Sequence, residues 1–323
     1  MYPLKFNPIL KSMIWGGEKL RQYKAIDTDQ KNIGESWELS GVPGNESVVS
    51  NGEFAGRTIT ELIKEYGAEL LGRHVYETYG ENFPLLIKFI DARDDLSIQV
   101  HPDDTMAQAV HGQPFGKTEM WYVVSADMDA HLMSGLSAEI TPEEYVSRVE
   151  NNTITDVLCD YKVQAGDVFF LPAGRIHSIG KGCFIAEIQQ TSDLTYRIYD
   201  FGRLGLDGKP RELHTELAKD AIDYSVSEDY RTAYTAAQNE DTLLVECEYF
   251  KTHLLDLTEP LSVDVKSKDS FMIVICLEGK GKLIDSEGNV VSLTQGETVL
   301  VPASVDNVTF VPSAGLKLLA CRV

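Results

Sequence analysis

Four side chains between residues 99 and 177 have the types and the spacing of a metal site. Gln99 and His101 stand two apart in LSIQVHP, where Ser97, Gln99 and His101 alternate with Leu96, Ile98 and Val100. On a β-strand that phase sends Gln99 and His101 from one face. Glu119 opens a second strand-like run, EMWYVVS, and His177 closes a third, DVFFLPAGRIH. If the three strands pair, one spot receives two imidazoles, a carboxylate and an amide, a ligand set for a divalent ion with an open position. Because the amide is neutral, the ion keeps net positive charge, which suits binding of an oxyanion. Lys117, two residues before Glu119, shares its face if the strand extends that far, and is an amine that acts as a base only in a buried, cation-rich setting.

The rest of the chain must hold these groups. Its 323 residues, 43% of them hydrophobic, suffice for two cores or one large core with insertions. Against 29 Lys and Arg stand 50 Asp and Glu, a formal charge of -21. That balance argues against nucleic acid and anionic membranes as partners. Cys159, Cys183, Cys247, Cys276 and Cys321 are odd in number, widely spaced and form no CxxC pair, and so read as reduced thiols of a cytoplasmic protein. No apolar run has the length of a membrane span, and nothing at the start resembles an export signal. A Gly-rich nucleotide loop is absent, which excludes ATP and NAD as expected ligands.

Residues 1–57 read as irregular strands and loops, with Trp15 and Trp37 as packing residues. Helices are expected near 58–72, behind a Thr58/Glu61 capping box; near 103–111, capped by Asp103 or Asp104; near 141–150, with Thr141 as cap, Pro142 first and Glu144 completing a box; and near 210–224. Short strands with Gly and Pro turns fill most of the remainder, and from Leu243 onward almost everything is strand. The fold class is therefore mainly β.

An internal repeat sharpens this. With Gly166 placed on Gly296, GDVFFLPAG matches GETVLVPAS, Pro172 meets Pro302, and His177 falls opposite Asn307. With Glu119 placed on Ser270, EMWYVVSADMDAHL matches SFMIVICLEGKGKL. The expected organisation is a metal-binding barrel with helical insertions over 1–240 and a second barrel without ligands over 241–323.

The run from Gly166 to His177, G-D-x-x-x-x-P-x-G-x-x-H, resembles the second motif of the cupin superfamily, whose jelly-roll barrels hold a metal in their mouths. More narrowly, LSIQVHPDD, GKTEMW, PAGRIHS and EIQQTSDLTYRIYDFGR occur in the order seen in type I mannose-6-phosphate isomerases, and the chain resembles their shorter bacterial form from WGG to the second barrel. The resemblance implies one zinc per chain held by Gln99, His101, Glu119 and His177. It implies interconversion of mannose 6-phosphate and fructose 6-phosphate, in which a proton passes between C1 and C2 through an enediol. Arg197 in TYRIYD maps beside the O1/O2 end, and Lys117 and Glu187 are competing proton carriers. Lys88, Ser97 and Arg203 map to the phosphate end. His111, His131, His214 and His253 lack such company and read as structural or surface residues. Two rivals stand beside this reading: a cupin acting on another sugar phosphate, and a sugar-phosphate-binding cupin without turnover. The expected partner is a small sugar phosphate, with a monomer or homodimer as the assembly.

Overall fold

A computed structural model describes residues 1–205 and 207–323. It is mainly β, with three hydrogen-bonded sheets of nine, six and five strands. Its backbone divides into two compact units, one of residues 10–36 and 87–232, the other of residues 1–9, 37–86 and 233–323. This differs from a single cut at 240. The cause is strand pairing: Leu4–Asn7 lies antiparallel to Thr298–Val301, with Leu4 opposite Leu300, and Val48–Val49 adds beyond it. An N-terminal stretch thereby completes the edge of the C-terminal sheet.

In the first unit, the six-stranded sheet brings Glu119–Ala126 between Val168–Leu171 and Cys183–Gln190. The five-stranded sheet runs in the order Tyr196–Tyr199, Ile98–Val100, His177–Ile179, His131–Leu136, Leu158–Lys162. Trp121, Val123, Phe169, Leu171 and Ile185 of the former share one buried core with Leu132 and Ile179 of the latter. The two sheets therefore pack face to face, as in a jelly roll. On the outer face of the five-stranded sheet, Ile98, Val100, Ile176 and Ile198 pack with Tyr145, Val149 and Ala218 of two helices. The central strands Ile98–Val100 and His177–Ile179 are thereby covered on both faces, while Leu158–Lys162 at the edge leaves Asp160 and Lys162 exposed.

The second unit repeats part of this plan. Val168–Leu171 pairs with the strand beginning at Glu119, and Thr298–Val301 pairs with the strand Met272–Asp285, both antiparallel. Gly166 (φ 93°) and Gly296 (φ 83°) turn the chain into the matching strands with the left-handed backbone that glycine adopts without strain. Asn307 is exposed and does not repeat the buried His177. Leu171 stands opposite Glu119, whereas its match Val301 stands opposite Met272, so in the strand register the apolar Met272, and not Ser270 as the sequence alignment suggested, takes the place of Glu119.

Three of the four expected helices begin where their caps predict. Thr58 and Glu61 form the full reciprocal box ahead of Ile59–Tyr66, and Ala68–Leu71 follows after a break at Gly67. Asp103 accepts the Met106 N–H, and the helix turns π-helical over Ala107–His111. Thr141 accepts from Glu144 N ahead of Pro142–Glu150, but the Glu144 carboxylate turns to Arg148 rather than back to the cap, leaving half a box. The helix expected over 210–224 is only Thr215–Ala221. Its missing start is irregular: His214 N donates to Arg197 O and the Arg197 N–H donates to His214 Nδ1, so this stretch is tied to the strand Tyr196–Tyr199 instead of coiling.

Candidate metal centre

The site is assembled by strand register. Tyr196–Tyr199 pairs with Ile98–Val100 so that Arg197 lies opposite Gln99, and His177 lies opposite Gln99 from the other side. Directly opposed residues project from one face, so Arg197, Gln99 and His177 form a row across three strands. Glu119 does not come from a strand beside them, as the sequence led one to expect. It stands in the facing six-stranded sheet, opposite Leu171 and Gln189, and reaches the row across the inner space.

His101, Glu119 and His177 each offer a ligand atom within 4.8 Å of the others, and all three are buried. Glu119 Oε2 is 3.6 Å from His101 Nε2, and Oε1 is 3.3 Å from His177 Nε2. Gln99 Nε2 lies 3.2 Å from His177 Nε2, so a half-turn of the amide brings its oxygen to the same centre. Each imidazole engages a backbone carbonyl through Nδ1, Leu194 O for His101 and Arg175 O for His177, both at 2.8 Å. That places the proton on Nδ1 and leaves the Nε2 lone pairs facing inward.

Burial, with the Lys117 ammonium and His177 adding to it, pushes His101 well below the usual histidine range. Burial likewise takes His177 down to about 3 against the opposing pull of the Arg175 carbonyl. The close His–Glu approaches are therefore not ion pairs. Burial and the neighbouring Glu187 charge raise Glu119 to about 7, with Lys117 and Lys88 pulling the other way. His101 Nε2 and both Glu119 oxygens are buried without a hydrogen-bond partner among the described residues. Lys117 Nζ stands 3.2 Å from Glu119 Oε2 but outside hydrogen-bond geometry. Such orphans cost about 1–3 kcal/mol each, and three converging on one point have the donor types and protonation that a divalent ion requires. The residues present fit the group.

Around this centre, Glu187 is buried and accepts from Lys88 Nζ at 3.0 Å and from Trp121 Nε1 at 2.8 Å. Burial opposes ionisation of Glu187, yet Lys88, Lys117 and the indole N–H together hold it below the usual carboxylate range. Desolvation would lower Lys88, but Glu187 and Glu35 raise it instead. Ser97 is buried one residue before the strand that carries Gln99. Arg203 donates to Asp200 Oδ1 at 2.7 Å and to the Asp95 carbonyl, and Arg211 clasps the same Asp200 carboxylate. Arg197 donates to Glu212 O at 3.0 Å, while its buried Nε has no hydrogen-bond partner among the described residues. Burial and the nearby Arg211 lower its guanidinium. Sequence reasoning missed Trp121, Asp200 and Arg211. The phase that set Glu119 inward also sets Trp121 inward, but nothing linear announces its partner.

Comparison with known proteins follows this geometry. Residues 4–122 match the family model for the phosphomannose isomerase type I catalytic domain, and residues 239–316 match that for the mannose-6-phosphate isomerase cupin domain. The chain belongs to the type I phosphomannose isomerase family. It is 36% identical over 304 residues to a mannose-6-phosphate isomerase of Bacillus subtilis, covering 93% of each chain. It is 35% identical over 309 residues to a mannose-6-phosphate isomerase of Streptococcus mutans, covering 95% of each. A crystal structure of the mannose 6-phosphate isomerase from Bacillus subtilis superposes with a TM-score of 0.88 at 30% identity and complete coverage of both chains. The cupin fold expected from the motifs is the fold of this family. His177, Glu187, Arg197 and Arg203 lie between the two matched segments. No helix among the described residues is long and apolar enough to cross a membrane.

Proposed function

We propose that this chain is a zinc-dependent aldose–ketose isomerase that interconverts mannose 6-phosphate and fructose 6-phosphate by moving a proton between C1 and C2 through an enediol. The observation that carries the reading is the convergence of two neutral imidazoles and an orphaned carboxylate in a chain of this family. His101, Glu119 and His177, with Gln99 through its amide oxygen, would hold the ion. A bound divalent ion polarises a carbonyl oxygen and offsets the negative charge that develops as a neighbouring carbon loses its proton.

The remaining work belongs to the chain itself. Arg197, in the row with Gln99, supplies fixed positive charge at the O1/O2 end, and fixed charge needs no reorganisation as the enediolate forms. Lys117 is the group we assign to binding or proton transfer, since its ammonium is buried at the edge of the centre. Glu187 is assigned a supporting role, because both of its oxygens are already engaged. Ser97 and Arg203 are assigned to the phosphate end. Lys88, tied to Glu187, would act there through its charge rather than through a direct bond.

The test pairs elemental analysis of freshly purified protein with a coupled assay on mannose 6-phosphate. About one zinc per chain and turnover to fructose 6-phosphate are expected. Turnover of glucose or allose 6-phosphate but not the mannose ester would redirect the substrate assignment. Tight binding of mannose 6-phosphate with no exchange of its C2 proton with solvent would rule out catalysis.

A further inference from the structure

Trp121 is fully buried, lies opposite Glu187 in the strand register and shares the apolar core beneath the metal centre. Core packing alone accounts for a large aromatic ring there, but not for where its polar edge goes. Nε1 donates to Glu187 Oε2 at 2.8 Å, while Lys88 holds the other oxygen of that carboxylate at 3.0 Å. The same ring stands at 83° to the His177 imidazole with centroids 5.2 Å apart. One side chain therefore touches both the buried ion pair and a proposed metal ligand. A carboxylate with donors on both oxygens is held in one orientation.

We propose that Trp121 is a positioning residue of the isomerisation: its indole N–H fixes the Glu187 carboxylate beside the metal centre, while its ring sets the plane of His177. This rests on reading the site as the isomerase centre. Trp121→Phe keeps an aromatic ring against His177 and the core while deleting the N–H. Its kcat on mannose 6-phosphate falls about tenfold with KM and zinc content close to those of the parent. Because the effect passes through Glu187, the double variant Trp121→Phe/Glu187→Gln is no slower than Glu187→Gln alone.

A Trp121→Phe enzyme with parental kcat overturns the proposal. So do losses that multiply in the double variant, and so does a slow Trp121→Phe beside a fast Glu187→Gln. A second readout needs no turnover. The indole N–H resonance assigned by its disappearance in Trp121→Phe is exchange-protected and moves in Glu187→Gln, whereas a resonance indifferent to Glu187→Gln denies the contact. Should the parent protein show no isomerase turnover at all, the functional reading falls, and the resonance still decides whether Trp121 holds Glu187.

Discussion

Glu119 shows most plainly what the proposed ion does for the protein. A fully buried carboxylate whose oxygens meet only imidazole nitrogens and one misaligned ammonium is a local liability, and its rise to about 7 is the measure of that. His177→Ala removes one of the converging lone pairs, and the zinc retained after gel filtration is expected to drop from about one per chain to a small fraction. Equal zinc in parent and variant would remove His177 from the ligand set. Lys117→Met tests a separate role: retained zinc with kcat lowered by about a hundredfold or more is expected of a proton carrier, and near-parental turnover would dismiss it. Asp200 contributes to the stability that acid removes. Although burial works against its ionisation, bonds from Arg211 and Arg203 hold it below the usual aspartate range, so its stabilising contribution is whole above about pH 4 and is lost as pH falls through the depressed value. Asp200→Asn is expected to melt earlier than the parent at about pH 7 and to lose less further stability on acidification to about pH 3; parallel melting curves at all pH values would refute this. At this scale the sequence was legible where two residues stand two apart on extended chain, even though the strand Ile98–Val100 ends one residue before His101. Gln99 and His101 declared their common face by alternation, whereas the Lys88–Glu187 bond, spanning 99 positions, depends on which strands become neighbours.

At the scale of elements, what could be read linearly was what is decided locally. The Thr58/Glu61 box closes within four residues, both of its bonds form, and the helix starts where they put it. Thr58→Ala should cost about 1 kcal/mol of unfolding free energy, measured by urea titration; no change would mean that packing of Ile59, Leu62 and Ile63 alone sets that helix. The helix expected over 210–224 was overdrawn because its first residues had a competing use. The pattern of Leu213, Leu217 and Ile222 is helical, but His214 spends its backbone and ring on Arg197, and a strand partner outbids one more helical turn. The same limit hid the source of Glu119. Phase tells which face a strand presents, and not which sheet it enters.

For the molecule as a whole, metal and fold should be linked. A ligand that binds only the native state adds about 2.7 kcal/mol when present at a hundred times its dissociation constant. Dialysis against a chelator is therefore expected to lower the melting temperature and abolish turnover together, with zinc restoring both; a chelated protein that melts unchanged would show that the orphaned donors need no ion to coexist. The mainly β class was visible in the succession of short strands, and Gly166 and Gly296 of the internal repeat do mark equivalent turns, although the sheets do not close into barrels. The division of the chain was not visible, because Leu4–Asn7 carries no mark of the strand it will join.

That edge pairing has a temporal side. Leu4 and the Leu300 against which it settles stand nearly three hundred positions apart, so the first is made well before the second. Until that second segment is made, Leu4–Asn7 waits without its neighbour, and the sheet that it joins stays open at that side. Long-range pairing of this kind is slow and leaves edges open to other chains, so growth temperature and chaperone supply should govern the soluble yield of this protein more than the strength of its finished core does.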